Sequence, residues 1–358
     1  MEKNFTKDGL ILLNKSKGVS SFGAINHLKK VMKAKKVGHA GTLDPMAEGL
    51  MIVMINEATK FSDNLMKKDK EYYVEMELGY KTDTYDLEGT VIAKYDSEIN
   101  ISDSEIIQAV NSFKGKVKQI PPMYSAIKID GKKLYDLARK GIEVERAERN
   151  VEISEIREIN IVHPKKNSEN AQNIKISFYA KVSSGTYIRS LVYDIGEKLG
   201  VFATMTRLVR TKIGRFEIED AITLEKAKAE IDKLKNLMEG KTENESFWAT
   251  KNDSAIRAEK IREIVCFVEI EYVLDYYGIN VSNVKYGKLK NGMTVIDTFK
   301  KFENISKEAS KGANVRENQK FKIYVRNKNT NVREFKGIVK IVSIRGDRIY
   351  LKRDKYFL

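Results

Sequence analysis

A single cysteine, Cys266, stands in 358 residues. That excludes an intramolecular disulfide and a zinc site built on cysteines. Histidine is scarce as well. His27, His39 and His163 lie far apart and have no ligand spacing, so no metal is expected. No apolar run approaches the length of a membrane span, and the basic N-terminus is not followed by a signal-peptide core. These absences lead to the expectation of a cytoplasmic protein without metal and with no membrane partner.

What the chain does have is length, apolar residues and positive charge. A length of 358 residues implies two or three domains, and 42% hydrophobic residues are enough for a packed core. Lys and Arg total 65 against 50 Asp and Glu, a net charge of +15. Polyanions are the natural partners of such a surface. The excess is uneven. Residues Phe321 to Leu358 hold 11 Lys/Arg and 3 Asp/Glu. This clustering favours nucleic acid over a merely soluble, lysine-rich surface.

Periodicity organises the chain. "FGAINHLKKVMK" (22–33) places Phe22, Ile25, Leu28 and Met32 on one helical face, with Ser20 or Ser21 as cap. "MIVMI" (51–55) reads as a buried strand and 56–67 as helical. "EYYVEMELGY" (71–80) alternates, putting Tyr72, Val74, Met76 and Leu78 on the inner side. "SDSE" (102–105) is a capping box before a helix through Phe113. "NIKISFYAKV" (173–182) alternates again and runs into "SSGTYIRSLVYDIGEKLG". There Ile188, Leu191, Val192, Ile195 and Leu199 form a helical stripe, and Gly200 ends it. Arg189 thus falls in a first helical turn. Another amphipathic helix is expected over about 223–238, and 239–254 is polar and aperiodic. Beyond about 262, short strand-like runs predict a small basic β domain. Without steady βαβα alternation, an α+β fold with an antiparallel sheet is expected rather than a doubly wound one.

The chemistry centres on "VGHAGTLDPMAEG" (37–49). Three glycines in thirteen residues mean tightly bent or closely approached backbone. Pro45 fixes its own φ and pushes Asp44 out of the α region. A carboxylate held this way is a turn former or a placed chemical group, and spacing alone favours the turn. Gly-rich loops also cradle phosphates, but no G-K-[ST] step and no strand–GxGxxG–helix context is present.

The segment "GHAGTLDPMAEGLMIVMINEATKF" resembles the catalytic motif of bacterial tRNA pseudouridine-55 synthases. The resemblance continues through "KEYYV", "LGYKTDTYDLEG", "QIPPMYSAIKIDGKKLYDLARKGIEV" and "SSGTYIRSLVYDIGEKLG", in order, over about residues 8–238. It implies Asp44 as the catalytic aspartate, Tyr72 as the tyrosine that stacks on the target base, and Arg189 as the arginine paired with the carboxylate. It implies Tyr187 and Leu208 as walls of the uridine pocket, and His39 as a contact to RNA beside the extruded base. Tyr72 is also implied as a candidate for proton transfer.

The reaction so implied breaks N1–C1′, turns the base and joins C5 to C1′. No atoms are gained or lost overall and no electrons are exchanged, so no cofactor is expected. The nucleotide must be flipped out. An aromatic platform returns part of that cost by stacking. The carboxylate attacks C6 or C1′, or assists elimination, and the sequence leaves these open. An adjacent guanidinium favours the charged carboxylate.

Two departures stand out. Ser16 occupies the place of a usual proline in "LLNKSKGVSS", and the tail is lengthened by 239–262 and 300–314. The resulting expectation is a pseudouridine synthase-like mixed, mainly antiparallel sheet flanked by helices over 1–240. A linker over 241–261 and a basic PUA-like β domain over 262–358 follow. The partner is the T-arm of tRNA, without guide RNA, and the protein is a monomer. The rival reading is a non-catalytic RNA-binding protein or tRNA folding factor on the same scaffold. The basic segment 128–141, with Tyr135, reads either as a solvated hairpin and helix or as a clamp on the T-arm.

Overall fold

The computed structural model describes residues 8–32, 34–164, 173–229, 267–273, 276–299, 301–302, 315–327 and 329–357. The expected 241–261 linker, most of the 300–314 insertion and the second half of the 223–238 helix lie outside them. Two compact units emerge. The first takes in Ile11–Met54 and Phe61–Phe267. The second takes in Val268–Leu358, with Lys7–Leu10 and Ile55–Lys60.

The first unit is built on a large mixed sheet. Its main strands are β1 (Gly9–Lys15), β2 (Val37–His39), β3 (Glu48–Ile55), β4 (Lys70–Leu78), β5 (Gly115–Gln119), β6 (Arg149–Val162), β7 (Lys175–Val182), β8 (Ala203–Ile213) and β9 (Ile222–Thr223). The order is β9-β1-β3-β8-β4-β7-β6-β5, with β2 paired to β3. Pairings β8–β4, β4–β7, β7–β6 and β6–β5 are antiparallel, while β1–β9 and β3–β8 are parallel. Alternation along β4 seats Val74, Met76 and Leu78 in the core, with Tyr72 at its edge. β3 reads as a continuous apolar run because both of its faces are covered. Every residue from Gly49 to Ile55 is buried.

Four helices matter here: α1 (Ser21–Met32), α2 (Asp103–Asn111), α3 (Leu134–Ala138) and α4 (Ile188–Leu199). The capping box before α2 is present, with Ser102 accepting from the Glu105 amide and the Glu105 carboxylate accepting from the Ser102 amide. In α4, Ile188, Leu191, Val192 and Ile195 are buried, and Gly200 takes the left-handed φ of 72° that closes the helix. One expectation fails. Phe22 is 69% exposed, and the buried stripe of α1 is Ser21, Ala24, Ile25, Leu28 and Met32. At 100° per residue, Phe22 points well off that stripe. Ser21 stands there instead, while Ser20 caps the helix by accepting from the Gly23 amide. The 56–67 stretch is a 3-10 turn followed by a short helix, Ser62–Met66.

The second unit carries a five-stranded sheet. Its strands are β10 (Tyr277–Asn280), β11 (Val295–Thr298), β12 (Lys320–Arg326), β13 (Arg333–Arg345) and β14 (Arg348–Phe357), in the order β10-β12-β13-β14-β11. Its core holds Ile279, Leu289, Phe302, Phe321, Ile323, Val339 and Ile341. Leu289 comes from α5 (Asn283–Lys290), a helix the strand-like reading of this region overlooked. Ile270–Val273, expected within a strand, is also helical. Among the described residues no helix is long and apolar enough to cross a membrane.

Candidate active site

Asp44 lies on the loop between β2 and β3, and the loop is clipped from several directions. The Ser21 hydroxyl donates to the Leu43 carbonyl at 2.8 Å and accepts from the Leu43 amide at 2.9 Å. The Gly18 amide donates to the Pro45 carbonyl at 2.8 Å, and the Ala47 amide to the Asp44 carbonyl at 3.1 Å. The fully buried Lys15 ammonium donates to the carbonyls of Ser16, Val19 and Pro45. Burial holds its pKa down to about 8, although Asp44, Glu48 and Glu88 oppose the drop. So Lys15 is a fastening of the loop despite Ser16 replacing a proline. The glycines answer the question that the motif posed. Gly49 has φ of 103°, and a Cβ there would lie 2.4 Å from the Arg210 carbonyl oxygen.

Arg189, in the first turn of α4, meets that loop. One guanidinium nitrogen lies 2.9 Å from Asp44 Oδ2 and donates to the Tyr124 carbonyl at 2.8 Å. The other lies 3.4 Å from Asp86 Oδ2 and donates to the Thr84 carbonyl at 3.1 Å. The Arg189 and Asp86 side chains are 6% and 3% exposed, whereas the Asp44 side chain is 38% exposed. A buried cation is therefore shared by one buried carboxylate and one that faces open space. Asp86 is fixed in turn by the Thr84 hydroxyl at 2.7 Å and the Glu88 amide at 3.0 Å. Burial raises its pKa, against the pull of those bonds and of Arg189. Asp86 was missed in the sequence. It sits in the quoted "DTYDLEG", but three acidic residues there have nothing to mark which one is buried.

The N-terminus of α4 is also wired to the segment after β5. The Gln119 side-chain amide donates to the Tyr187 carbonyl at 2.9 Å and accepts from the Tyr187 amide at 2.8 Å. The Ser190 hydroxyl donates to the Ile120 carbonyl at 2.8 Å.

These groups open on one groove of about 710 Å³, lined by Asp44, Tyr72, Asp86, Tyr187, Arg189 and Leu208 among others. Such a volume is that of a small-ligand site. Tyr72 is 9% exposed and Leu208 6%, so each packs in the core and forms a wall at once. Burial raises the Tyr187 phenol pKa, opposed by Ser125, Arg149 and Arg189. Lys70 also lines the groove. Its ammonium donates to the Met66 and Lys68 carbonyls, and burial, aided by Arg210, lowers its pKa to about 8. Tyr135 and Arg139 supply an outer wall from the segment after the Lys128–Lys133 hairpin, and the guanidinium lies 5.5 Å from the ring centre.

His39 is not among the lining residues. It is half-buried on β2, its Nδ1 has no hydrogen-bond partner, and burial lowers its pKa with help from Arg210. Thus five of the six expected residues converge on one groove and His39 lies apart from it. Among the described residues no group of three or more His, Cys, Asp or Glu could hold a metal.

The N-terminal domain model of TruB family pseudouridylate synthases matches residues 29–188, and the C-terminal domain model of tRNA pseudouridylate synthase B matches 189–258. A tRNA pseudouridine synthase B of Fusobacterium nucleatum is 50% identical over 212 residues, which span 59% of this chain and 70% of that protein. The chain belongs to the TruB family. A tRNA pseudouridine synthase B of Clostridium perfringens extends the TruB likeness to 291 residues at 45% identity, covering 81% of this chain and 85% of the relative. Asp44, Tyr72 and Tyr187 of the groove fall within the first match, and Arg189 and Leu208 within the second. The fold is also that of a Cbf5-Nop10-Gar1 complex crystal structure, with TM-score 0.62 and 22% identity over 98% of this chain and 85% of the other.

Proposed function

We propose that this protein converts the T-loop uridine at position 55 of tRNA to pseudouridine. The observation that carries the reading is the 2.9 Å pairing of Arg189 with the groove-facing Asp44, in a groove that also holds Tyr72, Tyr187 and Leu208. The TruB relatives named as tRNA pseudouridine synthases support the reaction class.

The target nucleotide swings out of its loop into the groove, at a cost of about a few kcal/mol of stacking. Tyr72 stacks on the base and returns about 1–3 kcal/mol of that cost. Arg189 holds the Asp44 carboxylate in one orientation. Asp44 attacks C6 of the base or C1′ of the sugar, or assists elimination; N1–C1′ breaks, the base turns, C5 bonds to C1′, and any bond to Asp44 breaks so that the carboxylate is released. The C5 proton leaves to solvent and N1 takes one up. Tyr72 is the candidate for that proton transfer. The basic segment 128–141 grips the T-arm backbone. A carboxylate in an RNA-binding groove repels phosphate, which disfavours the reading of the scaffold as a mere RNA binder.

The test is tritium release from C5-labelled uridine in a bare T-arm hairpin, with no helper protein or guide RNA. Wild type releases tritium, and mapping of the product places pseudouridine at position 55. Asp44→Ala loses activity while hairpin affinity stays near normal. Residual turnover above about one thousandth of wild type contradicts an essential nucleophile.

A further inference from the structure

Arg210, on β8, is buried to 1% exposure and is among the largest fully buried side chains of the protein. Among the described residues no carboxylate lies within salt-bridge distance of it. A buried charge without an ion partner is strongly unfavourable unless its hydrogen bonds are satisfied. Here they go entirely to backbone. Nε donates to the Leu50 carbonyl at 2.6 Å, one terminal nitrogen to the Gly41 carbonyl at 3.3 Å, and the other to the Thr42 carbonyl at 3.5 Å.

Gly41 and Thr42 enter the Asp44 loop, and Leu50 leaves it. One guanidinium therefore ties both ends of the loop together at its base. The backbone of Arg210 does the same work from below. It pairs with Gly49 on β3, where there is no room for a Cβ, and with Tyr72 on β4. Arg210 thus stands between the strand that presents Tyr72 and the loop that presents Asp44.

We infer that Arg210 is a positioning residue of this reaction. It sets the loop so that the Asp44 carboxylate meets the base held by Tyr72. The inference rests on the reading given under Proposed function. Arginine differs here from an ammonium in that its donors sit on three separate nitrogens, whereas the Lys15 ammonium bonds its three carbonyls from a single atom.

The experiment uses the full chain with Arg210→Met, which keeps the length and removes every donor, and Arg210→Lys, which keeps the charge. Tritium release under saturating T-arm hairpin falls on the order of 100-fold for Arg210→Met, as expected for a misplaced reacting group. Arg210→Lys falls in between, and hairpin affinity stays within about threefold of wild type for both. Amide exchange across residues 41–50 quickens in each variant. If Arg210→Met fails to fold, Arg210→Lys decides alone. An unchanged saturating rate with only a lower Tm overturns the inference. So does a loss of affinity with an unchanged saturating rate, which would make Arg210 an RNA contact. If wild type itself releases no tritium, the proposed function fails. Amide exchange then decides the tether separately, and an unaltered loop rejects it.

Discussion

At the scale of single residues, Arg189 presents an electrostatic puzzle that the structure resolves. The first turn of a helix favours anions, so an arginine there is poorly placed by the helix alone. Its charge is met instead by Asp44 and Asp86, which come from two other parts of the chain. Asp86 is the buried half of that arrangement and makes no opening to the groove comparable with Asp44. Removing its charge leaves the guanidinium with one carboxylate, and breaking a buried pair costs about 3–5 kcal/mol. Asp86→Asn is expected to lower stability by that order in denaturant melts. It also slows saturated tritium release by about tenfold or more, because Arg189 shifts towards its remaining partner. A variant with wild-type rate would show that Asp44 alone orients Arg189. That Asp44, Arg189, Tyr72 and Tyr187 would meet in one groove was legible in the sequence because their motifs are long and in order, and Leu208, from the short run "TRLVR", lines the same groove. Asp86, Gln119, Ser21 and Arg210 were not legible. Ser21, Gln119 and Arg210 act by hydrogen bonds to partners 22 to 169 residues away, and Asp86 by an ion pair to Arg189, and no local spacing marks such contacts.

At the scale of elements, α4 shows why the helix reading held. Its apolar stripe, its glycine stop and the preceding bend are all short-range features. The same helix holds a liability. Asp194 sits half-buried, and burial, aided by Glu197, raises its pKa from 3.8 to about 6. The folded protein therefore binds this proton more tightly than the unfolded chain does. Ionising Asp194 weighs against folding, and the penalty grows as pH rises from about 4 through 6 and is complete above it. Asp194→Asn is expected to raise Tm at pH 7.5 and to leave it unchanged near pH 4. Calorimetry at both values checks this, and an equal gain at both would assign the effect to something other than charge. Elements went wrong where period was weak. α5, which the sequence reading passed over, has exposed or half-buried residues nearly throughout and is marked only by its Ser282 cap. Phe22 was placed inside because it lies three residues before Ile25, yet at 100° per residue it stands about 100° from Ser21, which is near the middle of the buried stripe.

At the scale of the whole molecule, charge dominates. Arg326, Arg333, Arg345, Arg348, Lys352 and Arg353 of the second unit are all exposed. Its sheet is closed by its own apolar core, so these side chains are available for phosphate contact. Binding through phosphates releases counterions and weakens steeply with salt. Affinity for tRNA is expected to fall on the order of a thousandfold between about 50 and 200 mM monovalent salt. Filter binding across that range checks it, and a nearly flat profile would remove the role given to this basic unit.

What the sequence alone determined was local: the period of each strand and helix, the caps, the charge, and motifs whose order identifies a family. These follow from interactions over a few residues, which any reader of the chain can see. Which carboxylate is buried, which cation holds it, and how the Asp44 loop is tied at its base were decided only by tertiary structure. β8 lies between β3 and β4, and that pairing brings Arg210 to Leu50 across 160 residues. The long chain closures that place such groups together are stabilised by the whole core.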